Sequence, residues 1–193
     1  MIEINWLGKN SKKCVIGLDR DGVINQQNGY ITSPDEFTPI ENSLEAVAYL
    51  RRKGFQIAII SNQSGITKGL MTDKDVDDVH AKMLDLLGKA GCPSIDAIYY
   101  STSSHKKDYY AKPNVGMFER CEKENPLIKF KTGYYVGDKI TDIKAAVKIG
   151  ARPILVRTGE GRKTEKLLQR HAYKKLEKQT VIFDDLWSFS QQF

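Results

Sequence analysis

The sequence predicts an α/β fold: a Rossmann-like parallel sheet of five strands with helices on both faces and no large cap domain. Two observations carry this expectation. Short, continuous apolar runs of the kind that fill a buried parallel strand alternate with longer stretches whose apolar residues recur at helical spacing. Nearly every apolar run also stops abruptly at a cluster of Asp, Ser, Asn, Gly or Lys. That is how the carboxyl edge of an open α/β sheet presents groups to a ligand. A length of 193 residues and a hydrophobic content of 40% suit one domain, residues 1–193, with a continuous core.

The first strand is expected at residues 14–18, C-V-I-G-L, running straight into Asp19, Arg20, Asp21 and Gly22. A short apolar run bounded by a turn signal favours a strand buried on both faces. Asp19 and Asp21 then stand at its carboxyl end. Two carboxylates one residue apart can crowd one site, where one holds a divalent cation and attacks phosphorus while the other carries a proton. Taken alone, D-R-D-G reads equally as a plain turn.

Residues 26–39 are polar and turn-rich, with Asn28-Gly29 and Ser33-Pro34-Asp35 as breakers, and are expected to hang over that strand end. Asn42 is expected to cap a helix that buries Leu44, Val47, Ala48 and Leu50 and ends at Gly54. The second strand, residues 55–60, stops at Ser61-Asn62-Gln63-Ser64-Gly65. Thr72-Asp73-Lys74-Asp75 opens a long helix in capping-box style, with Val76, Val79, Met83, Leu86 and Leu87 on its buried stripe and Gly91 and Pro93 closing it.

A third strand at residues 95–100 leads into a polar, lysine-bearing loop to residue 114, then a short helix near 115–124. The fourth strand, 134–136, ends in Gly137-Asp138-Lys139. A helix over 141–149 and a fifth strand over 153–156 follow, which argues for right-handed crossovers. Residues 181–183 read as a late edge strand outside the five, and 184–189 as a terminal helical turn.

Composition narrows the function. No run approaches the roughly 20 apolar residues of a membrane span, and the opening residues lack the apolar core of a signal peptide, so a cytoplasmic protein without membrane association is expected. Cys14, Cys92 and Cys121 are odd in number and form no C-x-x-C, which suits reduced thiols. Of the formal net charge of +6, +5 falls between Arg162 and Lys178, where seven basic residues face only Glu165 and Glu177. Leu167, Leu168, Ala172 and Leu176 recur there at helical spacing. The run therefore reads as one amphipathic helix with a solvated face, and a nucleic-acid partner is not expected.

Other strand ends carry groups that suit the first. Ser61 offers a hydroxyl and Asn62 an amide to a phosphoryl oxygen. Lys112, in A-K-P-N-V-G-M-F, offers a point charge. Asp138 adds a carboxylate, and Asp142 sits one helical turn later on the same face. Each has a plainer use as turn, surface or helix-start chemistry, but their ordered recurrence just past successive strands does not.

This ordered set resembles the haloacid dehalogenase-like (HAD) superfamily of aspartate-nucleophile phosphohydrolases: D-R-D-G-V-I-N, S-N-Q-S-G, K-P with G-M, then G-D-K-I-T-D. The wording is similar to the branch holding D,D-heptose 1,7-bisphosphate phosphatases and histidinol-phosphate phosphatases. The resemblance implies a Mg²⁺-dependent phosphomonoesterase acting on a small phosphorylated metabolite, with the 7-phosphate of D-glycero-D-manno-heptose 1,7-bisphosphate as first choice. It makes Asp19 the nucleophile and Asp21 the acid that protonates the leaving alcohol. It puts Mg²⁺ on the Asp19 carboxylate, the Asp21 backbone carbonyl and Asp138. Ser61 and Lys112 then hold the phosphoryl group, with Asp142 orienting Lys112, while the reading of the residues themselves adds Asn62 at the phosphate and Lys139 behind the site.

Two departures bear on substrate. The branch usually carries a Cys/His zinc loop where this chain has residues 101–111 with His105 alone, so no structural zinc is expected. Ala111 stands where the heptose enzymes commonly have arginine, leaving Lys68, Lys106 and Lys107 as partial replacements that suit a solvated surface equally well. Competing expectations are a polynucleotide 3′-phosphatase and a phosphate-accepting receiver domain. The latter wants its aspartate after the third strand, where Tyr99-Tyr100-Ser101 stands.

Overall fold

The computed structural model describes residues 14–27, 29–105 and 107–193, so the expectations for residues 1–13, Asn28 and Lys106 lie outside the described residues. The strands are β1 (Val15–Leu18), β2 (Gln56–Asn62), β3 (Ala97–Ser101), β4 (Tyr134–Gly137), β5 (Arg152–Val156) and β6 (Val181–Phe183). The helices are α1 (Ser43–Arg52), α2 (Asp73–Lys89), α3 (Gly116–Glu124), α4 (Ile140–Ile149), α5 (Gly161–Leu168), α6 (Lys174–Glu177) and α7 (Leu186–Ser190). They build one sheet in the order β3-β2-β1-β4-β5-β6, with every neighbouring pair parallel.

Alternation along the strands divides the core. Ile16, Leu18, Ile57, Ile59, Val136, Ile154 and Val156 pack on one side with residues of α1, α2 and α7. Val15, Ala58, Ile60 and Tyr135 pack on the other with residues of α3 and α4. Ile16, Leu18, Ile57 and Ile59 are fully buried, and each contributes about 1.5–3 kcal/mol by leaving water. From β1 the chain first winds outward through β2 and β3, then returns to place β4 on the other flank of β1. The order reverses between β1 and β4, and the crevice beyond their carboxyl ends is where such sheets take ligands.

The sheet has six strands, not five. β6 is only three half-buried residues, and its strand character comes from pairing Ile154, Leu155 and Val156 with Val181, Ile182 and Phe183. Residues 162–178 are not one helix. α5 ends at Leu168, Arg170 is extended (φ −71°, ψ 144°), and a 3₁₀ turn at His171–Tyr173 precedes α6. Buried Leu168 packs with Ile143 and Leu155, and Tyr173 and Leu176 join it after the break. Arg157 clamps this region, donating to both Glu165 oxygens at 2.8 and 2.7 Å and to Asp184 at 2.8 Å.

Asn42 makes no side-chain cap. It takes the left-handed conformation, φ 58°, which asparagine tolerates better than most residues. Thr72 does form its capping box with Asp75. Among the described residues no helix is long and apolar enough to cross a membrane.

Candidate active site

β1 and β4 pair with Leu18 opposite Val136, and the Asp19 amide extends the ladder by donating to the Val136 carbonyl at 2.9 Å. The chain therefore delivers Asp19 and Asp138 to the crevice side by side. Asp142 joins them from the first turn of α4, and ligand oxygens of the three lie within 4.8 Å of one another. All three side chains are buried.

Lys112 is the counter-charge. Its ammonium lies 3.0 Å from Asp19 Oδ1 and 2.8 Å from Asp142 Oδ1. It also donates to the Ile60 carbonyl at 2.9 Å and to the Tyr135 hydroxyl at 2.8 Å. Asp142 uses Oδ2 to accept from the Lys139 amide at 2.9 Å, so one carboxylate both caps α4 and holds the lysine. Burial alone would lower the Lys112 pKa, and Asp142 and Asp19 outweigh it to leave the group raised and charged. Asn62 fixes the lysine from behind. Its Oδ1 accepts from the Lys112 amide at 3.0 Å and its Nδ2 donates to the Lys112 carbonyl at 3.1 Å.

Asp138 is the unbalanced member. Oδ2 accepts from the Glu160 amide at 2.8 Å, whereas buried Oδ1 has no partner among the described residues. Burial, reinforced by Asp142 and Asp19 and opposed by Lys139, pushes its pKa up to about 8. A buried anionic oxygen left unpaired is costly, and a cation is what satisfies it. The donors are all oxygens, the set that suits a hard ion such as Mg²⁺. Gly22 closes over this carboxylate with φ +85°. A Cβ there would sit 2.2 Å from Asp138 Oδ2, so only glycine fits.

Ser61 lies buried near the end of β2. Its Oγ accepts from Gln63 Nε2 at 2.9 Å, and no described residue accepts its proton. The Asp21 side chain stands outside the carboxylate group. The carboxylate group that gathers around Asp19 and Asp138 is completed by Asp142, while the Asp21 side chain turns to Arg20, Asn25 and Gln63. Arg20 draws it there as a forked ion pair, which leaves only the Asp21 backbone carbonyl for a cation. Burial would raise the Asp21 pKa, but the Arg20 charge and the hydrogen bonds from Arg20, Gln63 and Asn25 bring it below the usual carboxylate value.

Arg20, Gln63 and Asn25 are the polar residues that sequence reasoning passed over. Their one signal was position, between and just beyond the motif carboxylates and serine. Lys68 is exposed and donates to the Tyr30 hydroxyl at 2.5 Å. Lys107 is exposed on the loop before buried Ala111.

The family profile described as polynucleotide kinase 3 phosphatase matches residues 15–181. The chain belongs to that family. Within it, the chain is 37% identical over 179 residues to D-glycero-beta-D-manno-heptose-1,7-bisphosphate 7-phosphatase of Neisseria meningitidis serogroup A, covering 92% of each. The same-named protein of Pseudomonas putida is 34% identical over 176 residues, covering 91% of this chain and 96% of the relative.

Among solved structures, D,D-heptose 1,7-bisphosphate phosphatase from B. bronchiseptica complexed with magnesium and phosphate superposes with a TM-score of 0.82 at 32% identity, covering 93% of this chain and 97% of that one. The Burkholderia thailandensis counterpart gives 0.70 at 30%, covering 94% and 98%. The family member described here is thus a HAD-type phosphatase, a phosphoric monoester hydrolase, as its motifs anticipated.

Proposed function

We propose that this phosphatase removes the 7-phosphate of D-glycero-D-manno-heptose 1,7-bisphosphate through an aspartyl-phosphate on Asp19. The observation that carries the mechanism is the Lys112 ammonium held 3.0 Å from Asp19 Oδ1 beside the unpartnered Oδ1 of Asp138. Phosphoryl transfer needs in-line positioning and neutralised charge more than covalent chemistry from the protein. Lys112 and the Arg20 amide, at 2.8 Å, both pin Asp19 Oδ1 and so fix the plane of the nucleophilic carboxylate.

The Ser61 proton and Lys112 meet the oxygens of the transferring group. Asp21, ionised in the free protein, takes up a proton when the anionic ester binds and gives it to the departing sugar oxygen as the Asp19–phosphorus bond forms and the phosphorus–sugar oxygen bond breaks. The resulting Asp21 carboxylate then takes a proton from the water that cleaves the intermediate. Mg²⁺ would be held by the Asp19 and Asp138 carboxylates and the Asp21 carbonyl, and supplies charge neutralisation when bound.

The heptose assignment rests on the relatives that align across nearly the whole chain. The family description and the sequence motifs nominate a polynucleotide 3′-phosphate as the rival substrate, and the sequence motifs add histidinol phosphate. The test is Mg²⁺-dependent phosphate release from the heptose bisphosphate, histidinol phosphate and an oligonucleotide 3′-phosphate, with ³¹P NMR identifying which phosphate leaves. Highest kcat/KM on the heptose with loss of the 7-phosphate supports the assignment. Highest kcat/KM on either rival overturns it.

A further inference from the structure

We propose that Arg20 and Gln63 are positioning residues that aim the Asp21 carboxyl at the leaving group and tie it to the phosphate-binding hydroxyl of Ser61. This rests on the reading of Asp21 as general acid. Arg20 is fully buried, which is unusual for arginine unless it is paired. Its Nε donates to Asp21 Oδ1 at 3.0 Å and its Nη2 to Asp21 Oδ2 at 3.0 Å. Such a fork fixes the carboxylate plane as well as its position.

The same Nη2 donates to Gln63 Oε1 at 3.1 Å. That contact decides the amide orientation: with its oxygen on Arg20, the Gln63 NH₂ must face the other way. There it donates to Asp21 Oδ2 at 2.9 Å and to Ser61 Oγ at 2.9 Å. One buried amide therefore links the acid on the β1 turn to the hydroxyl on β2. Asn25 completes the cradle through Nδ2, 3.0 Å from Asp21 Oδ1.

Counting donors shows how the cradle works. Each Asp21 oxygen receives two, so every lone-pair site is filled, and the acidic proton must take a place that one donor gives up. The bidentate arginine holds orientation through that exchange, and the neutral amide on Oδ2 is the partner that yields to the bridging oxygen of the ester. His80, buried on α2 within the field of Arg20, stays neutral: burial and then the Arg20 charge bring its pKa down to about 4.

A positioning role for the acid has a signature that a structural role lacks. A sugar alkoxide needs a proton to leave, whereas a nitrophenolate does not, so only the first substrate senses a misaimed acid. The experiment measures kcat/KM for an alkyl phosphate and for p-nitrophenyl phosphate in wild type, Arg20→Lys, Gln63→Leu and Asp21→Asn. Asp21→Asn is expected to lose about 100-fold more on the alkyl ester than on the nitrophenyl ester. Arg20→Lys, which keeps the charge and loses the fork, and Gln63→Leu are each expected to show the same selectivity at about tenfold.

Equal losses on both esters in Gln63→Leu, or a gain on the alkyl ester, overturn the positioning role, and Gln63→Leu decides it even if Arg20→Lys fails to fold. A flat Asp21→Asn response overturns instead the assignment of Asp21 as the acid.

Discussion

Replacing Lys112 by methionine tests the electrostatic frame of the site most directly. The ammonium is buried between Asp19 at 3.0 Å and Asp142 at 2.8 Å, with Asp138 in the same carboxylate group. Methionine fills nearly the same volume, so little cavity cost is added. What remains is the penalty of leaving buried carboxylates without their cation, about 3–5 kcal/mol. For a domain stabilised by about 5–15 kcal/mol this is a large fraction. Urea unfolding of metal-free protein near neutral pH reads it out. With a slope of about 2 kcal/mol per molar, the midpoint falls by about 2 M.

A second change separates charge from packing in that result. Asp142→Asn destabilises the wild type, because it discards a partner of Lys112, but in the Lys112→Met background it removes an uncompensated charge and recovers about 1–3 kcal/mol. The variant's deficit should also shrink as pH falls, because burial already raises the Asp142 and Asp138 pKa values and protonation removes the uncompensated charge. A midpoint within about 0.5 M of wild type, or additive effects of the two substitutions, would refute the account.

Four further outcomes follow from the same geometry. Asp19→Asn is expected to abolish phosphate release, and full activity would remove it as nucleophile. The Asp138 carboxyl, with its folded pKa at about 8 against an ordinary 3.8, binds a proton that the unfolded chain has lost, so stability without metal falls as pH rises between those values. Mg²⁺ favours the charged form, and should raise Tm more at about pH 8 than at about pH 5; an equal rise at both would contradict this.

Gly22→Ala places a methyl in left-handed backbone, costing about 1–2 kcal/mol, and against Asp138 Oδ2, where a Cβ would stand 2.2 Å away. Weaker Mg²⁺ affinity in calorimetry is expected, and unchanged affinity would count against the fit. Asn62→Ala removes two bonds to the Lys112 backbone. A fall in kcat of about 10- to 100-fold is expected as the ammonium shifts; an unaltered kcat would show that the clamp is dispensable.

The placement of the crevice residues was legible because they lie where local signals are strongest. Asp19, Ser61 and Asp138 each follow an apolar run, and Lys112 sits in a punctuated loop, so strand ends and motifs coincide. What escaped is what only tertiary contact decides. Residues 181–183 were legible as a late edge strand, but their place in the main sheet comes from pairing with β5 across a long connection. The break after α5 follows from extended Arg170, in a stretch whose apolar spacing alone suggested continuity. Asn62 carried the right atoms for phosphate but spends them on the Lys112 backbone. Arg20 was opaque for a different reason: arginine in a turn reads as solvent-facing, and nothing local says that it will be sealed beneath the acid it orients.

The grip of Asn62 on the Lys112 main chain has a consequence for how such catalysts diversify. A segment anchored just before its reactive residue can be lengthened, shortened or rewritten upstream while the downstream atom keeps its coordinates. Residues 101–111 end at that anchor, so a transplanted stretch there should alter which alcohol is accepted while the hydrolytic apparatus keeps its pace.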